Sequence, residues 1–217
     1  MNLPERLAAL VVADSRDRER WLAVRSRGIG GSDAASFAKV ESVGGYVAAR
    51  FRRPFGGNSN TAAGNRWEPA ILAADGWQHN TLMFRHPEND RHLATPDALR
   101  VTEGGRVELA QAKTKHHEPF DDDGNPRPFT LTNAKGEPHI TPMHRRQIAW
   151  EQWVLGADLT EYLVLPIHPR TLRPVADVPE VLTVPRDEQL IAHLLAIAAP
   201  YVAALIAATD FERNLTE

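Results

Sequence analysis

The chain has 217 residues, no cysteine and a formal net charge of −3, a length that predicts one domain, 1–217, with a core that needs no covalent staples. The lack of cysteine excludes disulfides, thiolate zinc sites, cysteine nucleophiles and cysteine-held iron–sulfur clusters, so any metal must sit on oxygen or histidine. The slightly acidic balance argues against a protein that coats nucleic acid through bulk electrostatics.

The first quarter nevertheless holds Arg16, Arg18, Arg20, Arg25, Arg27, Arg50, Arg52 and Arg53. That is enough basic surface for a few phosphates, and with Asp14, Asp17 and Glu19 interleaved it equally fits an exposed, charge-laced helix. Glu5 and Arg6 precede any long apolar segment, so no signal peptide is expected. The apolar run 190–208 is broken by His193 and Pro200 and reads as a buried helix rather than a membrane span. The expectation is a cytoplasmic protein.

In chain order, residues 3–12 have helical periodicity, and Asp14 or Ser15 is placed to cap a second helix running to about Val24. The glycines of Gly28-Ile29-Gly30-Gly31-Ser32-Asp33 break that helix and free backbone N–H groups, while Ser32 or Asp33 caps the next one. Such a turn suits an anion, or serves as a plain connector. A short helix is predicted over 44–51, a loop over 54–60, and a longer helix over 61–77 carrying Gly64-Asn65-Arg66-Trp67-Glu68-Pro69. Residues 81–85 and 91–95 alternate apolar and polar side chains between turn signals and read as strands.

Next comes Thr95-Pro96-Asp97, a short strand, a polar turn at Glu103-Gly104-Gly105, and a strand over 106–114 containing Gln111-Ala112-Lys113. Alternate residues of a strand share a face, so Gln111 and Lys113 point the same way. An adjacent strand brings Asp97 to them. Oxygen ligands beside an ammonium suit a hard divalent cation and a polarised water. Glu108 should face the other side of a regular strand, and only a β-bulge would bring it round.

Residues 115–142 are rich in Pro, Gly, Asp and Asn and read as a mobile loop or flap. Its His116, His117, Asp121, Asp122 and Asp123 are expected to be solvated rather than a second metal cluster. An amphipathic helix over 141–156 follows, with Pro142 at its start and Gly156 at its end. A strand over 159–167, a proline-rich stretch over 168–185 that ends the sheet, and a helix over 187–208 complete the chain. No internal repeat is evident.

Asp97 with Gln111-Ala112-Lys113 resembles the PD-(D/E)xK nuclease motif, with Gln where that superfamily has Asp or Glu. Trp21, Arg25, the glycine-rich turn and Ser32 look like the N-terminal motif of the lambda exonuclease and YqaJ-type viral recombinase family, a branch of that superfamily. Gly64 with Glu68 matches the family's helical glutamate element. The helix holding Gln147 is similar to its Q-x-Q helix, with Ala149 in place of the second glutamine.

The resemblance implies an α/β fold, a central mixed β-sheet flanked by helices on a restriction-endonuclease-like core. It implies a DNA exonuclease that needs Mg²⁺, with Mn²⁺ substituting, and that degrades linear duplex from 5′ ends to leave 3′ overhangs. Asp97, Gln111, the Ala112 carbonyl and Glu68 are the implied metal ligands, with Glu68 alternatively orienting water. Lys113 positions the attacking water, and Gln147 orients the lysine or that water. Arg25 and Ser32 take the 5′ phosphate, with Arg27 as an additional candidate. Implied partners are duplex DNA ends, a single-strand annealing protein and further copies of the chain in a trimeric ring. Two alternatives stay open: a DNA-end binding module with lost or slow cleavage, permitted by Gln111 and Ala149, and an endonuclease.

Overall fold

A computed structural model of the chain describes residues 3–52, 59–133 and 135–216. Its strands form two sheets where one was expected. The first is antiparallel, in the order β1 (Val11–Asp14), β2 (Leu82–His86), β3 (Asn89–Ala94). The second is mixed, in the order β4 (Ala98–Val101), β5 (Val107–His116), β6 (Leu159–Ile167), β7 (Glu180–Pro185), with β5 and β6 parallel and the outer pairs antiparallel. Pro96 lies between β3 and β4, where it has no N–H to offer a ladder, and the chain crosses there from one sheet to the other.

The crossing is held by Asn80, whose Nδ2 donates to the carbonyls of Pro96 and Leu82, both at 2.9 Å. The backbone N–H of Asn80 donates to the Asp97 carbonyl. A buried amide satisfied on all sides fixes the segment that carries Asp97.

The helices are α1 (Glu5–Ala8), α2 (Arg18–Ser26), α3 (Gly31–Ala34), α4 (Val43–Arg52), α5 (Ser59–Ala74), α6 (Pro142–Leu155) and α7 (Glu188–Thr216). The helix expected over 3–12 is a single turn. The β-branched pair Val11-Val12 prefers the pleated surface and enters β1 against β2. Asp17, not Asp14 or Ser15, caps α2 by accepting from the Arg20 N–H at 3.1 Å, because Asp14 is held by Arg16. The predicted loop over 54–60 falls outside the described residues up to 58, and α5 already begins at Ser59. The stretch over 168–185 does not end the sheet, since its last six residues alternate and pair with β6 as β7.

Alternation along β4 and β5 divides the core. Ala98, Ala110 and Ala112 join Leu163 and Leu165 under Ile71 and Leu72 of α5 and under Trp77. Leu99, Val107 and Leu109 pack instead with Trp150 and Val154 of α6 and with Leu194, Ile197 and Tyr201 of α7. Each large apolar side chain buried this way contributes about 1.5–3 kcal/mol. Gln111 and Lys113 have the parity of Leu109, so they share the α6 side of the sheet.

Helix α6 is bounded as its sequence implies. The Thr141 hydroxyl accepts from the His144 N–H, Pro142 occupies the first turn, and Gly156 ends the helix at φ +62°. Helix α7 is long and apolar enough to cross a membrane. It lies against α4 and α6 with Leu194, Ile197, Ala198 and Tyr201 buried. The segment between β5 and α6 is pinned by Leu131 and Ile140, which are buried with Ile148, Tyr162 and Val164. His117 there bonds the Arg127 carbonyl, and Asp121 accepts from Asn125 and Asp123.

Candidate active site

Asp97 sits one residue before β4, and the pairing of Ala98 with Ala110 sets it across from Gln111-Ala112. Its Oδ2 accepts from the Ala112 N–H at 2.8 Å and from Lys113 Nζ at 3.3 Å. Lys113 Nζ also donates to Gln111 Oε1 at 2.7 Å. An ammonium has only hydrogens to offer, so this contact fixes the Gln111 amide with its oxygen toward the lysine.

The amide nitrogen of Gln111 is thereby aimed at α6, where it donates to Glu151 Oε2 at 2.6 Å. Gln147, one helical turn earlier on the same face, donates to Glu151 Oε1 at 3.1 Å and to Gln111 Oε1 at 3.2 Å. Glu151 is 1% exposed. Burial, then the charge of Asp97, pushes its carboxyl up to about 8. The sequence reading passed over Glu151. Its signal was a carboxylate one turn from Gln147, next to the buried Trp150.

On the other wall, α5 delivers Glu68, whose Oε1 lies 2.8 Å from His79 Nε2. Burial raises the Glu68 carboxyl, Asp97 raises it further, and His79 opposes both. Asp97, Glu68, Glu151 and Gln147 line one cleft of about 480 Å³ with Arg25 and Ser32. His79 and Asn80, also unpredicted, belong to its wall. The acidic donors gathered here are the carboxylate oxygens of Asp97, Glu68 and Glu151, the kind a hard divalent cation takes. Among the described residues no three His, Asp or Glu side chains form a complete cage, so water and substrate oxygens would have to complete a coordination shell.

The cleft's far end comes from the N-terminal segment. Arg25 Nη1 pairs with Asp33 Oδ2 at 2.9 Å, and Arg25 Nη2 donates to Ser32 Oγ at 2.5 Å. Asp33 also accepts from the Gly30 N–H at 2.9 Å, so it caps α3 from inside its first turn. Arg50, not singled out from sequence, pairs with the other Asp33 oxygen at 2.8 Å. Two guanidinium groups share one carboxylate, which leaves a surplus of positive charge.

The glycines here leave room for the ends of two side chains. A Cβ on Gly30 would stand 2.1 Å from Arg25 Nη1, and one on Gly31 would stand 2.5 Å from Glu151 Oε1. Arg27 caps the C-terminus of α2, is exposed, and does not line the cleft.

Beside Lys113 on the same face, His144 Nδ1 and the Tyr162 hydroxyl are 2.6 Å apart. Burial and the Lys113 charge drive His144 down to about 4, and burial pushes Tyr162 up to about 12. The imidazole is therefore neutral at physiological pH. Glu108 is elsewhere. β5 keeps an unbroken register with β4 and β6, so no bulge turns Glu108 toward the site, and it pairs with Arg100 at 2.9 Å on the opposite face.

No protein-family model and no curated protein sequence matches the chain. Solved structures do. An alkaline exonuclease (LHK-Exo) from Laribacter hongkongensis superposes with a TM-score of 0.62 at 19% identity, over 91% of this chain and 97% of that one. A phage-related exonuclease from Haemophilus somnus 129PT gives 0.50 at 14% identity, over 78% and 83%. The protein in a SOX–DNA complex gives 0.50 at 10% identity, over 91% and 70%. The chain, two sheets flanked by helices, shares its fold with these solved exonucleases.

Proposed function

We propose that the chain, acting as one nuclease unit, is a divalent-metal-dependent exonuclease that shortens linear duplex DNA from 5′ ends and leaves 3′ single-stranded overhangs. The observation that carries this reading is the contact of Lys113, at 3.3 Å, with Asp97, which itself lines a cleft shared with Arg25 and Ser32. Exonuclease neighbours with the same fold support it.

Asp97, the Ala112 carbonyl and Glu68 would hold Mg²⁺, with Mn²⁺ able to replace it. When bound, such an ion acidifies water and neutralises charge on phosphoryl oxygens. Lys113 places its ammonium beside the water that attacks phosphorus in line. The bond from phosphorus to the 3′ oxygen breaks, that oxygen takes a proton, and a 5′ phosphate remains. Gln111 and Gln147 hold the lysine in place through the Gln111 oxygen. Arg25 and Ser32 receive the 5′ phosphate, with Arg50 adding the positive charge that Asp33 does not cancel.

The proposed partners are duplex DNA ends, a single-strand annealing protein that uses the overhang, and further copies of the chain in a ring-shaped trimer, which sedimentation tests. A second reading, a DNA-end binding module, draws support from Gln111, whose oxygen is engaged by Lys113 rather than open to a cation.

The deciding assay digests linear duplex bearing a 5′ phosphate or 5′ hydroxyl with Mg²⁺, Mn²⁺ or chelator. Metal-dependent shortening that favours the phosphorylated end and is lost in Lys113→Ala is the expected outcome. End binding without cleavage under either metal would leave the binding module, and cutting of a covalently closed circle would make the protein an endonuclease.

A further inference from the structure

Glu151 is a fully buried carboxylate whose hydrogen bonds come from two neutral amides, Gln111 Nε2 and Gln147 Nε2. Among the described residues no lysine, arginine or histidine forms an ion pair with it. A buried carboxylate without a compensating cation is expensive to keep charged. Its surroundings are nonetheless arranged to keep it where it is. The glycine at position 31 leaves the space its Oε1 occupies, and Gln147 and Gln111 take one of its oxygens each. It borders the same cleft as Asp97.

Gln111 is a poor candidate for the ligand beside Asp97. Its oxygen is taken by Lys113 at 2.7 Å and its nitrogen points at Glu151, so it links the lysine to the glutamate. The charge absent from the strand lies at the far side of that link.

We infer that Glu151 of α6, with Asp97, is a ligand of the divalent cation, and that Gln111 is the positioning residue between Glu151 and Lys113. The inference rests on the nuclease reading for its cation, and its test can fail separately from that reading.

The hydrogen-bond pattern yields a diagnostic exchange. In Glu151→Gln the new amide has one oxygen to satisfy two incoming N–H groups, so the network loses a bond along with the charge. In the double exchange Gln111→Glu/Glu151→Gln every bond has a partner again. The carboxylate at 111 accepts from Lys113 and from the amide at 151, whose oxygen accepts from Gln147.

The experiment titrates Mn²⁺ into the full-length, DNA-free chain by calorimetry, with thermal unfolding and DNA cleavage measured on the same samples. Glu151→Gln is expected to lose at least about tenfold in Mn²⁺ affinity and to lose cleavage while still unfolding cooperatively, and the double exchange to return within about threefold of the parent affinity. Parent-like Mn²⁺ binding by Glu151→Gln, or a double exchange that binds at least about tenfold tighter than the parent because it has gained a ligand, would show Glu151 to be a protonated structural group and overturn the inference. So would a parent chain that binds no Mn²⁺. If the expected binding pattern holds but DNA stays intact in every sample, the ligand assignment stands and the nuclease reading falls. If the parent cuts DNA while Glu151→Gln binds Mn²⁺ undiminished, the reverse is true.

Discussion

Gly31→Ala tests whether the glycine-rich turn exists to make room for Glu151. A Cβ at position 31 would lie 2.5 Å from Glu151 Oε1 and 3.1 Å from Gln147 Cγ. Ordinary contact needs roughly 1 Å more at the carboxylate oxygen. Glu151 cannot retreat freely, because its oxygens are held at 2.6 Å by Gln111 and 3.1 Å by Gln147. Either those bonds stretch or α3 moves away from α6. Overpacking of this kind costs about 1–3 kcal/mol, and for a chain of this length each kcal/mol lowers the melting temperature by about 2–4 °C.

The expected result is a melting temperature lower by about 2–12 °C and a cleavage rate reduced on the order of 10²-fold, the penalty of displacing a site group by about 1 Å. Gly44→Ala is the control. Gly44 lies in α4 with nothing within 4 Å of an added Cβ, so the same substitution should stabilise there by up to about 1 kcal/mol. Differential scanning calorimetry and a single-turnover nuclease assay read both effects. A Gly31→Ala protein that melts with the parent and cleaves at the parent rate would refute the steric argument and, with it, the idea that the turn is shaped for the site.

His92 should make the protein acid-sensitive. Burial, then the neighbouring His86, depresses His92 from 6.5 to about 4, and its Nδ1 must stay unprotonated to accept from Trp153 Nε1. Between those values the unfolded chain binds the extra proton, so this contribution is intact above about pH 6.5, is lost as pH falls toward 4, and totals about 3 kcal/mol. In urea unfolding, the parent's stability advantage over His92→Asn should shrink by about 2 kcal/mol between pH 7 and about pH 4.5; an unchanged gap would contradict the assignment. Asp33→Asn should destabilise by about 2 kcal/mol, because it leaves Arg25 and Arg50 partly buried without their shared anion. It should also erase the preference for 5′-phosphorylated ends, visible as a raised KM with kcat largely kept.

The hairpin that carries Asp97 and Lys113 was legible because local rules coincide there. Gly104-Gly105 marks the turn, and successive residues of a strand point to opposite faces, so Gln111 and Lys113 share one with Asp97 across from them. Helix α6 was legible for the same reason, with Thr141, Pro142 and Gly156 supplying start and stop signals. Strand β1 was hidden because Leu3, Leu7 and Leu10 mimic a helical stripe, and only pairing with β2 decides otherwise. The division into two sheets was hidden because Pro96 reads as a turn whether or not a ladder continues beyond it. Asn80, which holds that crossing, reads as an ordinary loop residue until its partners are seen.

Glu151 gave only a faint signal, for a deeper reason. A glutamate in an amphipathic helix reads as solvated surface, and what buries this one is a gap at Gly31, on a segment 120 residues earlier that sequence spacing cannot connect to it. Electrostatics depends on where a charge stands and not on which element delivers it. Gln111 and Glu151 touch at 2.6 Å, so moving the carboxylate from strand to helix displaces it by about one hydrogen bond while keeping it beside the cleft that holds Asp97. The amide left on the strand is then no loss, since a carboxylate there would set two carboxyl groups against each other in one buried site. A pattern search confined to the strand records Gln111 as a defect. The packing of α6 on β5 makes it the complement of Glu151.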